Sequence, residues 1–245
     1  MKSGEFKYFP WHKEEQMLKA VIFDMDGVLF DSEQAIIDCW VPVAQKHGIT
    51  DVVPQCLQCI GITETESAKV FRSVYGQDFP YEEIRKEVNE EYREFCDAGK
   101  LPVKPGVTEL LEYLAEGGVK IALASSGDRS HVERLLGTAG ILPFFQVIIG
   151  GDMVARGKPA PDVFLKALEE LNRTGDMVIE RQEALIIEDS YQGIRAAHTA
   201  QIPAIMVPDL LPATEECSLK TLAVLGDLFE AKAFIESRRS GRDGE

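Results

Sequence analysis

Val21-Ile22-Phe23-Asp24-Met25-Asp26-Gly27-Val28-Leu29-Phe30-Asp31-Ser32 is the stretch on which the fold turns. The apolar run Ala20 to Phe23 predicts a fully buried strand. It ends in two carboxylates two residues apart, then a glycine. Side chains alternate along a strand, so Asp24 and Asp26 would share a face if the strand continued. Gly27 predicts a turn that gathers polar groups at the strand's carboxyl end. Two like charges this close repel; a divalent cation between them, or a proton on one, makes the pair favourable. Taken alone, the pair reads first as a solvated acidic turn. The rest of the chain argues against that.

Further apolar runs recur downstream. Val119 to Ala124 predicts a second strand, ending in Ser125-Ser126-Gly127-Asp128. Phe145 to Ile149 predicts a third, ending in Gly150-Gly151-Asp152. Ala184 to Ile187 predicts a fourth, ending in Glu188-Asp189-Ser190, and Ala204 to Val207 a fifth. Helical patterns stand between them at 107–116, 129–138, 160–171 and 191–200. A short apolar run near Ala223 to Leu225 precedes a C-terminal helix that frays from Ser237. Strands alternating with helices predict an α/β fold, a parallel sheet covered by helices on both faces.

Residues 34–103 interrupt that alternation. Ser32 is a candidate N-cap for a helix carrying Ile36, Ile37, Trp40, Val43 and Ala44 up to Gly48. Residues 49–63 are mixed, with Pro54, Gly61 and Thr63, and helices are predicted at 64–75 and 81–98. With no strand in it, 34–103 reads as a small helical insertion. Residues 1–33 and 104–245 then form the sheet core.

The chain has 245 residues, 45% of them hydrophobic and 27% charged, which suits one or two globular domains. No segment approaches the ~18 apolar residues of a membrane span. Residues 1–15 lack the apolar core of a signal peptide and read as a loose tail. The net charge of −15 disfavours nucleic acid and anionic membranes as partners. Cys39, Cys56, Cys59, Cys96 and Cys217 are an odd count without a secretion signal, which predicts free thiols and a cytoplasmic location. Cys56 and Cys59 have CxxC spacing but no second pair, so packing outranks zinc or redox use. The histidines His12, His47, His131 and His198 show no ligand spacing.

Ligands of open parallel sheets bind outside the strands' carboxyl ends, and the polar clusters lie there. Asp24 can attack a phosphoryl group, provided that a hard cation such as Mg²⁺ offsets the repulsion between anions. Asp24 and Asp189 fit as side-chain ligands, with Asp26 lending its backbone carbonyl and Glu188 ordering the waters. In isolation, that pair reads first as Asp189 or Ser190 capping the next helix. Asp26 is placed to give and take protons. Ser125 and the N–H groups around Ser126 and Gly127 can donate to phosphoryl oxygens, although both serines could equally cap a helix. Lys158 can neutralise charge on those oxygens, with an exposed loop lysine as the plainer reading.

Four blocks together resemble the haloacid dehalogenase-like (HAD) superfamily. They are DxDGV from Asp24 to Val28, ALASS ending at Ser125 and Ser126, GKPAPDVF from Gly157 to Phe164, and IIEDSYQGIRAA from Ile186 to Ala197. They follow the family's order and cover most of the chain, and are most similar to the branch of β-phosphoglucomutase, phosphoglycolate phosphatase and sugar-phosphate phosphatases. The resemblance implies a Rossmann-like core, a helical cap domain at 34–103, Mg²⁺ and an aspartyl-phosphate. By position it implies Asp24 as nucleophile, Asp26 as acid/base, Ser125 and Lys158 as phosphate binders and Asp189 as metal ligand. The cap histidine and arginine that serve the sugar in β-phosphoglucomutase align with Ile36 and Glu64, which favours a phosphatase over a mutase. The expected substrate is a small phosphorylated metabolite, with no nucleic-acid or membrane partner. A monomer is expected, although nothing in the sequence determines the oligomeric state. A dehalogenase, which needs no metal and no second aspartate at 26, is disfavoured. A receiver-type phospho-accepting module is the non-enzymatic alternative.

Overall fold

The computed structural model describes residues 17–60, 64–175 and 177–240. The expected N-terminal tail and the last five residues of the frayed C-terminus lie outside the described residues. The chain divides into two compact units: the residues up to Leu29 with those from Lys104 on, and Phe30–Val103.

The first unit is built on six parallel strands: β1 (Ala20–Phe23), β2 (Lys120–Ala124), β3 (Val147–Ile149), β4 (Ala184–Glu188), β5 (Ala204–Met206) and β6 (Ala223–Val224). Their order is β3-β2-β1-β4-β5-β6. From β1 the chain builds outward to one edge, then returns and builds to the other. The order reverses between β1 and β4, and a reversal of this kind leaves a crevice outside the strand ends.

In chain order the helices are α1 (Ser32–Lys46), α2 (Val53–Gln58), α3 (Glu64–Tyr75), α4 (Tyr81–Asp97), α5 (Val107–Glu116), α6 (Arg129–Thr138), α7 (Asp162–Thr174), α8 (Tyr191–Ala200), α9 (Glu215–Lys220) and α10 (Leu228–Ser240). Alternation splits the strand residues between the sheet's faces. Ala20, Ile22, Ala122, Ala124, Ala184 and Ile186 pack with Val163, Phe164, Ala167 and Leu171 of α7 and with Ile194 and Ala197 of α8. On the other side α5 packs against β2, and α10 packs against α5. Because both faces are covered, the strands are apolar on both faces rather than alternating, save Lys120 and Glu188 at their ends.

Several boundaries differ from the sequence reading. β3 starts at Val147, not Phe145, whose ring instead meets Phe23 edge-on at 6.2 Å. α7 starts two residues later than expected and runs on to Thr174. Asp31, not Ser32, holds the N-cap of α1, and the Ser32 hydroxyl is buried without a hydrogen-bond partner. α2 forms where mixed composition predicted no helix; Pro54 stands in its first turn, where a missing N–H costs no bond. α9 also went unpredicted; its cap is Thr214, whose hydroxyl accepts from Cys217 N.

The helical unit starts at Phe30 rather than 34, because an isolated antiparallel bridge pairs Phe30 with Val103 and joins its two ends. Its interior is aromatic. Trp40 stacks on Phe71 at 4.6 Å, and Tyr81 and Phe79 lie 5.1 and 5.8 Å from Phe71. The acidic face of α4 is solvated, with Glu87 paired to Lys46 and His47. All five cysteines are free thiols, and all but Cys59 are buried.

Candidate active site at the switch point of the sheet

β1 and β4 are neighbours, with Ile22 beside Ile186. Two residues on, the same alternation sets Asp24 and Glu188 side by side on one face. Asp24 N still donates to Ile187 O at 3.0 Å, which extends the ladder to the carboxylate-bearing residue. Asp189 follows directly. One oxygen from each of Asp24, Glu188 and Asp189 lies within 4.8 Å of the other two.

Lys158 enters this group from the loop after β3. Its ammonium donates to Asp24 Oδ1 at 2.5 Å and Glu188 Oε1 at 2.6 Å. It also lies 4.9 Å from the centre of the Phe164 ring. The Lys158 side chain is 6% exposed and Glu188 not at all, so the loop-lysine reading does not hold. Glu188 Oε2 accepts from Ser190 N at 2.8 Å and Ser190 Oγ at 2.9 Å. Ser190 Oγ in turn accepts from Gly193 N and caps α8. The cap therefore falls on Ser190, not on Asp189. A side chain at Gly193 would collide with the Glu188 carboxylate.

Burial above all, opposed by Lys158 and reinforced by Glu188 and Asp26, raises the Asp24 carboxyl to about 8. For Lys158 burial acts downward, but Asp24 and Glu188 outweigh it and hold the ammonium above the ordinary lysine range. With Asp24 ionised, the three carboxylates against one ammonium carry a charge of −2, which one divalent cation would balance. An all-oxygen donor set suits a hard cation. The residues present therefore fit Mg²⁺.

Asp26 is half-buried and near enough to act on Asp24. Gly27 has φ +73°, and a Cβ there would collide with the Asp189 carboxylate. Only glycine meets both demands without strain. Asp209, after β5, flanks the same glycine and forms a half-buried ion pair with Lys104. Sequence reasoning missed both residues. The rule that polar residues gather at strand ends, applied to β5 as well, would have found Asp209.

Ser125 N donates to Ile149 O at 3.0 Å, so β2's ladder also runs one residue further. The buried Ser125 Oγ accepts from Gly127 N at 3.0 Å, leaving its proton to donate onward. That bond uses the Gly127 N–H, which the sequence reading had left open for substrate. Ser126 is exposed. Neither serine caps α6; Asp128 holds that N-cap. A cavity of about 290 Å³ opens here, lined by Ser125, Ser126, Asp128, Asp152, Lys158 and Val163 among others. The fold thus brings Asp24, Asp26, Lys158, Glu188 and Asp189 together, with Ser125 and Ser126 on the cavity that Lys158 shares.

Residues 21–207 match the family model described as "Haloacid dehalogenase-like hydrolase". The chain is 33% identical over 189 residues to a phosphorylated carbohydrates phosphatase of Thermotoga maritima, covering 77% of this chain and 84% of that one. The structure of CbbY from Rhodobacter sphaeroides in complex with phosphate superposes with a TM-score of 0.67 at 25% identity, over 87% of this chain and 96% of that one. For the fold alone, a β-phosphoglucomutase from Clostridium difficile matches with a TM-score of 0.68 at 24% identity, over 91% and 97% of the two chains. With its motifs ending β1 and β4 and its sheet shared with these structures, the chain belongs to the haloacid dehalogenase-like hydrolases.

Proposed function

We propose that the protein is a Mg²⁺-dependent phosphatase of a small phosphorylated metabolite, in particular a sugar phosphate, that acts through an aspartyl-phosphate on Asp24. The observation that carries this is the group of three carboxylates, two of them buried, and one lysine at the switch point. The Thermotoga relative's name supports a carbohydrate substrate.

Asp24, Asp189 and the Asp26 backbone carbonyl would hold the metal. Once bound, Mg²⁺ supplies positive charge that keeps Asp24 ionised and offsets the approach of an anionic phosphoryl group. Ser125 and Lys158 bind and orient the phosphoryl oxygens. An Asp24 oxygen attacks phosphorus, the phosphorus–ester oxygen bond breaks, and Asp26 gives its proton to the departing alkoxide. Asp26 then takes a proton from water, whose oxygen attacks phosphorus and breaks the bond to Asp24, releasing inorganic phosphate. Glu188 holds Lys158 and ties it to the α8 cap through Ser190.

The Phe30–Val103 unit is proposed as the cap that selects the substrate. Within it Ile36 is aliphatic and Glu64 is paired with Arg85 at 3.0 Å, which weighs against a mutase. No helix among the described residues is long and apolar enough to cross a membrane. The proposal includes a cytoplasmic monomer.

Phosphate release from p-nitrophenyl phosphate and a sugar-phosphate panel, before and after EDTA, tests this reading. Sustained turnover that EDTA silences and Mg²⁺ restores is expected. Metal-independent turnover would remove the metal, and a single stable phosphorylation would favour the receiver alternative. Isomerisation of a sugar phosphate that depends on added bisphosphate would favour a mutase.

A further inference from the structure

Helix α6 is capped from outside. Asp128 occupies its N-cap but makes no side-chain capping bond. An N-cap aspartate ordinarily accepts from the second or third N–H of its own helix. Here a different carboxylate supports the first turn: Asp152, in the turn after β3, accepts from Arg129 N at 2.9 Å. That leaves the Asp128 carboxylate, exposed and unused by the helix, on the wall of the 290 Å³ cavity that Ser125 and Lys158 also line.

The cavity's charged lining is Asp128, Asp152 and Lys158. Lys158 is already held between Asp24 and Glu188. Arg129, next in the chain, turns its guanidinium to Glu133 at 2.7 Å. Beyond the phosphoryl-binding end, the wall therefore offers hydrogen-bond acceptors and negative charge. Sugar hydroxyls are donors that carboxylates accept readily. A second phosphoryl group would face like charge with no unengaged cation among the described residues that line the cavity, and such juxtapositions are strongly rejected.

We propose that this cavity takes the neutral, hydroxyl-bearing part of a sugar monophosphate, and that Asp128 is the specificity-determining residue that turns away bisphosphates. The inference rests on the phosphatase reading above and adds the substrate's charge to it.

The test measures fructose 6-phosphate and fructose 1,6-bisphosphate as competitive inhibitors of p-nitrophenyl phosphate hydrolysis. The monophosphate should bind more tightly by ~10-fold or more, the scale of one unfavourable like-charge contact. Asp128→Asn keeps a good N-cap residue, so the fold should survive, and it should bring the ratio of the two inhibition constants towards one. Asp128→Lys should invert it. Because a ratio is read, a general loss of activity cancels. Equal or tighter binding of the bisphosphate by the native protein would overturn the inference, as would a ratio that Asp128→Asn leaves unmoved. Inhibition by neither sugar would remove the cavity as the sugar's place. No hydrolysis of p-nitrophenyl phosphate at all would instead bring down the phosphatase reading, and this inference with it.

Discussion

In the sheet unit most of the buried strand side chains are small or aliphatic: Ala20, Val21, Ile22, Ile121, Ala122, Leu185 and Ile186 are all fully buried. In the helical unit the interior is a stack of rings around Phe71, joined by Trp40, Phe79 and Tyr81. The first kind of core lets strands lie in strict register, and register is what sets Asp24 beside Glu188. The second kind holds helices through a few large contacts, each worth more, and asks less of backbone position. One unit is built for exact placement of charge. The other is built to present a surface around a compact core, and its charged residues pair at the rim, as Arg72 does with Glu82.

The largest effect should come from Asp24→Asn. Turnover of p-nitrophenyl phosphate should fall by ~10³-fold or more while circular dichroism of both units is unchanged, since an amide cannot serve as the nucleophile. Retained turnover would remove the sheet unit's claim to the chemistry.

Phe71→Ala probes the other side of the comparison. Removing the ring at the centre of the stack should cost the helical unit about 3–5 kcal/mol. In a two-unit chain the loss should appear as a separate early melting step, with the later one unmoved. A single transition lowered as a whole would show that the two cores are not independent.

Gly27→Ala sharpens the point about placement. The positive φ and the collision with Asp189 should together cost about 1–3 kcal/mol, read by urea unfolding. Although small beside Phe71→Ala in stability, it should weaken Mg²⁺ binding measured by calorimetry, which Phe71→Ala should not.

The smallest effect is at the rim of the sheet unit. Arg195 and Lys220 hold the Glu216 carboxyl down to about 2 from its usual 4.5. A carboxylate lowered in the folded state contributes stability that is present above about 4.5 and is lost as pH falls through 2. Glu216→Gln should flatten the acid limb of the stability curve in that window only. The carboxylate is half-exposed and its pairs lie at the surface, so the change should be slight and should fade in high salt.

Much of this was legible in the chain itself. The strand β1 falls on Ala20–Phe23 as its apolar run predicts, and α3, α5, α6 and α8 begin and end where periodicity puts them. Asp24, Ser125 and Asp189 stand at strand ends because buried apolar runs must stop where polar residues begin. Local pattern fails where a short element is held by something distant. α2 is such a case, with Tyr75 OH donating to Gln55 Oε1 from another helix. Asp128 is another, since its capping role is taken over by Asp152.

What the amino-acid sequence determined by itself is which residues end each strand and hence which side chains reach the sheet's mouth. Periodicity and burial are properties of neighbours in the chain, and they suffice for that. Only the tertiary structure decided that β1 lies between β2 and β4, that Lys158 is clasped by Asp24 and Glu188, and that Asp209 pairs with Lys104. The lysine contacts among these join residues 30 to 134 positions apart, and their energies depend on distance through space and on exclusion of water, neither of which a linear pattern carries.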